Sequence, residues 1–125
     1  MAFGESYAYE DGVTLTVSAP EPFEPSEFAS GTDLAHQVVF TYTVTNGSNE
    51  TLDAGAYITA SSGGVEAIPI YDTEQEVSFD PSTSILPEQS ITWRRAWSVA
   101  DLDNIVMQVT PLSFVYSDII FTNSN

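Results

Sequence analysis

Hydrophobic and polar residues in this chain alternate at every second position in short runs, and the 3.6-residue period of a helix is nowhere sustained. Such runs, separated by turn residues, predict a sandwich or barrel of strands. Val13, Leu15, Val17 and Ala19 share one face of a strand whose other face is Thr14, Thr16 and Ser18, because successive strand side chains point to opposite sides. Upstream, Tyr7 and Tyr9 share a face, and Asp11-Gly12 supplies the positive-φ pair of a tight hairpin. Residues 5 to 10 are therefore predicted to pair back on 13 to 19. Val38, Phe40, Tyr42 and Val44 alternate with Val39, Thr41, Thr43 and Thr45 in the longest β-branched stretch. That stretch predicts a central strand, ended by Asn46-Gly47-Ser48-Asn49.

Residues 56 to 61 and 65 to 71, joined through Ser62-Gly63-Gly64, read as a second hairpin. Ile91, Trp93, Arg95, Trp97 and Val99 form one face of a strong strand, opposite Thr92, Arg94, Ala96 and Ser98. Ile105, Met107 and Val109 make the next strand, broken at Pro111, and 118 to 122 the last. Residues 20 to 34, with Pro20, Pro22 and Pro25, and 72 to 89, with Pro81 and Pro87, read as long acidic loops, because proline cannot donate to a ladder. A short strand near Val77 to Phe79 lies within the second. Roughly eight strands and no helix predict an all-β, immunoglobulin-like, antiparallel two-sheet β-sandwich. It forms one domain over residues 1–125, with 1–4 reading as an appended start or a disordered segment and 123–125 as a tail.

Charge narrows the partners. Eighteen acidic residues face two basic ones, Arg94 and Arg95, with no lysine, for a formal net charge of −16. Neutralising phosphates needs clustered Lys and Arg, so nucleic acid is excluded as a partner, and an anionic membrane surface with it. No run approaches the roughly 20 apolar residues of a membrane-spanning helix, so direct insertion is not expected. The chain has no cysteine, hence no disulfide and no thiolate metal site.

Tyr9-Glu10-Asp11-Gly12-Val13, the strand from Val38 into Thr45-Asn46-Gly47-Ser48, Leu86-Pro87-Glu88-Gln89-Ser90-Ile91-Thr92 and Ile119-Ile120-Phe121-Thr122 occur in an informative order. In this order the chain resembles the small immunoglobulin-like domains of secreted and lipid-anchored Gram-positive proteins, especially actinobacterial ones, grouped as DUF4352 or telokin-like. The chain departs from that pattern at Glu88, where the family usually has Gly, and at Arg95, where it has an apolar residue. The resemblance implies an exported, extracellular location, commonly at the cell surface through a lipid-modified cysteine lost with the leader. It brings no catalytic residues.

Candidate chemistry is sparse. His36 is the single histidine and no Gly-x-Ser-x-Gly elbow exists, so no nucleophile with an oriented base is legible and no enzyme is expected. Asp101-Leu102-Asp103-Asn104 begins like an EF-hand loop, but Val106 stands where Gly is needed and Leu112 where Glu is needed. Calcium has other oxygens available if separate loops converge: Glu21, Glu24 and Glu27, or Asp72, Glu74 and Glu76. Asn46-Gly47-Ser48 and Asn49-Glu50-Thr51 match the glycosylation pattern and read as turns.

Trp93, Arg95 and Trp97 are the most unusual local feature, since residues two apart share a face and a guanidinium stacks on indole. Two readings compete. An exposed stripe would grip a sugar or an acidic peptide. Alternatively the tryptophans pack between the sheets and Arg95 reaches a carboxylate or water at the margin. The functional expectation is a non-enzymatic extracellular module that binds a protein or glycan, with a structural spacer as the alternative. Ligand and oligomeric state are not written in the sequence.

Overall fold

The computed structural model describes the chain except at residues 28, 54–55, 73–74, 76, 78–83, 112–117 and 124–125. The larger sheet runs in the order β1 (Ser6–Ala8), β2 (Val13–Val17), β4 (His36–Asn46), β10 (Ser90–Val99), β8 (Ile68–Ile70), with β3 (Glu21–Pro22) paired to β4. The smaller sheet runs β12 (Ile119–Thr122), β11 (Ile105–Pro111), β6 (Ala56–Ser62), β7 (Val65–Glu66). A ribbon of β5 (Leu52–Asp53) and β9 (Ser84–Ile85) stands apart from both. The order β2-β4-β10-β8 beside β12-β11-β6-β7 matches the ABED and GFC arrangement of an immunoglobulin-type sandwich.

Period-two burial creates the interior. Val13, Leu15 and Val17 on β2, Phe40, Tyr42 and Val44 on β4, and Trp93 and Trp97 on β10 meet Ile105, Met107, Val109, Ile119 and Phe121 from the smaller sheet. β4 lies between β2 and β10, as its β-branched run predicts. Within the core, the Trp97 indole N–H donates to the Tyr42 hydroxyl over 3.1 Å, and that hydroxyl donates to the Met107 sulfur over 3.2 Å. Tyr42 also stacks on Trp93 at 5.4 Å between ring centroids. The polar atoms of these large side chains are thereby satisfied where water does not reach.

Three expectations are corrected, and one falls mostly outside the described residues. First, residues 65 to 71 are not one strand: Val65 and Glu66 stay on β6, whereas Ile68–Ile70 crosses to the larger sheet, with Ile70 opposite Ala96. Pro69 lacks a donor and sits on an edge strand, where none is required. Second, Pro111 is itself the last residue of β11, opposite Ala56. Third, Val77 is fully buried yet outside any strand, and Phe79 lies outside the described residues. Fourth, residues 1–4 are part of the fold. Ala2 pairs in parallel with Thr122, the Gly4 amide donates to the Val17 carbonyl, and Phe3 packs 5.0 Å from Phe40 and 6.1 Å from Phe121. Asn123 is likewise integrated, accepting from the Ile105 amide and donating to the Leu102 carbonyl.

A second, smaller core lies behind the larger sheet. Phe23, Val77 and Ile70 pack with Val39 and Ala96 on its outer side, so the two acidic loops act as a lid over that half of the sheet. The lid explains why β10 alternates in burial at its start and is buried on both sides from Arg95 to Val99.

Candidate binding face

The Trp93-Arg95-Trp97 stripe points inward. Trp93 is 9%, Arg95 8% and Trp97 3% exposed, so the reading of these residues as an exposed grip is corrected. The register explains it: Trp93 stands opposite Tyr42, Arg95 opposite Phe40 and Trp97 opposite Val38, all core positions. The Arg95 guanidinium lies 5.7 Å from the Trp97 ring centroid and 6.0 Å from that of Tyr71, a residue at the margin of the sandwich. Cation–π attraction of this kind is worth about 0.5–2 kcal/mol depending on desolvation.

Of the acidic residues considered for calcium, Glu24 and Asp72 are linked through Gln75, and the described ones do not form a cage. The Gln75 side-chain amide donates both to the Glu24 carbonyl, at 2.6 Å, and to Asp72 Oδ2, at 2.9 Å. Asp72 is fully buried, and its two oxygens accept from the Ser26 amide and hydroxyl at 2.7 Å each. It fastens one loop to the other instead of facing a cation. Glu21, Glu24 and Glu27 are exposed, and Glu74 and Glu76 lie outside the described residues. Among the described residues no three His, Cys, Asp or Glu side chains converge on one point.

His36 is exposed at the start of β4 and lines a groove of about 360 Å³ with Pro20, Glu21, Pro22, Gln37, Val38 and Leu102. No serine or cysteine lines this groove among the described residues. Asn46 is fully buried: its amide donates to the Glu50 and Ile85 carbonyls, and its oxygen accepts from the Ser48 amide and hydroxyl. All its valences hold a turn, so it is closed to glycosylation.

The feature that sequence reasoning passed over is the outer side of the larger sheet beyond the lid. Ser6 pairs with Thr16, Thr16 with Thr43 and Thr43 with Thr92, forming one row of hydroxyls across four strands. A second row is Ala8, Thr14, Thr45 and Ser90. At the edge of the lid Thr41 stands opposite Arg94. Hydroxyls within the rows bond one another: Ser6 to Thr16 at 2.6 Å, Thr45 to Ser90 at 2.8 Å and Thr43 to Thr92 at 3.2 Å. No carboxylate projects from these positions, whereas the whole chain carries −16. Arg94 is exposed and makes no ion pair with a described residue, and the only other basic side chain besides His36, Arg95, is buried. Thr41, Thr92, Trp93 and Arg94 line a shallow depression of about 330 Å³. The signal was present in the sequence as Thr14-x-Thr16, Thr41-x-Thr43-x-Thr45 and Ser90-x-Thr92, and only the strand register makes it a surface.

At one end of the sandwich Tyr9 has its pKa pushed up to about 12, first by burial and then by Tyr7 and Asp118. Its ring meets that of Tyr7 edge-on at 4.8 Å.

No protein-family model and no curated protein matches the chain. Solved structures do match it. The yjhA protein of Bacillus subtilis is 10% identical with a TM-score of 0.71, covering 97% of each chain. A candidate lipoprotein of Bacillus subtilis, ycdA, is 15% identical with a TM-score of 0.68, over 94% of this chain and 37% of its own. An uncharacterized β-sandwich protein from Clostridium difficile 630 is 12% identical with a TM-score of 0.53, over 97% of this chain and 91% of its own. At these identities the likeness speaks to the fold: a β-sandwich shared with proteins of Bacillus and Clostridium. The actinobacterial source implied by the sequence resemblance finds no support among them.

Proposed function

We propose that this chain is a non-catalytic recognition module displayed outside the cell, and that its binding surface is the open half of the larger sheet. The observation that carries this reading is charge. A chain of net charge −16 leaves a four-strand face with no carboxylate and places its one exposed guanidinium there. A surface serving only solubility has no reason to exclude its commonest charged groups from one rigid face. The likeness to a candidate lipoprotein supports an exported location, as does the resemblance to secreted Gram-positive domains. The sandwich supplies rigidity, and recognition resides in the grafted surface.

The test is capture by the intact chain of glycans on an array and of proteins from cell-envelope extracts, compared with two variants. Thr43→Glu carries a charge into the hydroxyl face; Thr59→Glu carries the same charge onto β6 of the smaller sheet. Loss of capture by the first variant with retention by the second is the expected result. Equal capture by both would overturn the assignment of the face.

A further inference from the structure

Resting on that assignment, we infer that the face takes an extended oligosaccharide of uncharged sugars that carries a single carboxylated one, whose carboxylate pairs with Arg94. The hydroxyl rows are spaced by the sheet itself, about 4.8 Å between strands and about 6.8 Å between same-face positions along a strand. Each Ser or Thr hydroxyl offers one donor and two acceptor sites. The three cross-strand bonds leave most of these sites open toward solvent. Sugar hydroxyls have the same dual character, so the two surfaces are complementary without a deep pocket.

Charge selects among occupants. A dense polyanion is repelled by −16, and a second copy of this chain is repelled twice over. A protein partner would need pockets for aromatic or arginine anchors, and what the face shows among the described residues is the depression over Thr41, Thr92 and Trp93. Uncharged sugars meet no repulsion on a face that lacks carboxylates. Arg94, free of any described ion pair, adds one fork for a planar carboxylate beside the Thr41 and Thr92 hydroxyls.

The experiment is an NMR titration of the intact chain with a xylotetraose bearing one glucuronic acid branch and with its carboxyl-reduced form. Both are expected to shift the amides of Thr41, Thr43 and Thr92, with the reduced form binding about fivefold more weakly, as befits one exposed ion pair. Arg94→Ala should lower the affinity for the carboxylated form to that of the reduced form and leave the latter unchanged. Arg94→Lys should restore part of the difference. Equal affinities for the two forms in the unmodified chain, or equal losses for both in Arg94→Ala, would overturn the inference while leaving the binding face in place. Failure of both sugars to shift the face also overturns it. If, in addition, Thr43→Glu spares every capture seen on the array, the assignment of the face falls too.

Discussion

Gly12 and Gly47 meet backbone to backbone where the hairpin after β1 crosses the end of β4. A Cβ on Gly12 would stand 2.7 Å from the Gly47 carbonyl oxygen, and one on Gly47 would stand 2.4 Å from that of Gly12. Gly12 also has φ +97, whereas Gly47 is not in the left-handed region, so the latter is held by contact alone. Gly47→Ala is expected to cost about 1–3 kcal/mol, and Gly12→Ala at least as much, because it adds backbone strain to the same clash. The double variant should cost less than the sum, since one displacement opens space for the second methyl. Gly64→Ala, with φ +80 and nothing within 4 Å, isolates the backbone cost. Urea unfolding of the four variants decides it, and strict additivity would contradict the shared contact.

Removing the Phe3 ring should destabilise the fold by about 2–3 kcal/mol. That lies below the 3–5 of a fully buried phenylalanine because Phe3 is only half-buried. Chemical denaturation of Phe3→Ala is the check. An unchanged midpoint would mean that the first residues do not belong to the core.

Both tryptophans are expected to emit as buried indoles, blue-shifted and protected from acrylamide, as their 9% and 3% exposure requires. Trp97→Phe removes the indole bond to the Tyr42 hydroxyl and should cost about 1–3 kcal/mol on melting. Red-shifted, readily quenched emission would place the stripe at the surface.

Asp72→Ala should release the lid. Two bonds from Ser26 and one from Gln75 are lost together, and bonds to a charged group contribute about 1.5–3 kcal/mol each. Amide exchange around Phe23 to Ala29 should accelerate by at least tenfold while β2 and β11 stay protected. Uniform acceleration would show that lid and sandwich open as one unit.

Alkaline stability should be governed in part by Tyr9. Its folded pKa of about 12 lies above the ordinary tyrosine value of 10.0, so between those values the unfolded chain has given up a proton that the folded chain keeps. Stability is then full below about pH 10 and falls as pH rises toward about 12. Tyr9→Phe should flatten that part of the curve in unfolding measured across the interval, and an unchanged slope would contradict the burial of the hydroxyl.

The sandwich was legible because β2, β4 and β11 place apolar residues at every second position with few interruptions, and one face of each is buried against the other sheet. The lid was legible only as loops. Phe23 and Val77 stand singly among prolines and acids, and a lone apolar residue has no period from which burial can be read. Asp72 resembled its acidic neighbours, because what distinguishes it is Ser26, 46 positions away. The inward turn of Arg95 was visible as alternation, but the aromatic partner Tyr71 comes from another strand end. The hydroxyl face needed most structure of all, since three ordinary polar runs become one surface only when β2, β4 and β10 align in register.

The parallel pairing of Ala2 with Thr122 has a mechanical corollary. The Met1 amino group donates to the Ile120 carbonyl and the Thr122 amide to the Met1 carbonyl, each over 2.8 Å. Tension drawing residue 1 and residue 122 apart loads both bonds sideways at once instead of peeling them in turn. Resistance to pulling would therefore be concentrated in this short seam, and the Phe3 ring behind it would be the first apolar group dragged into water.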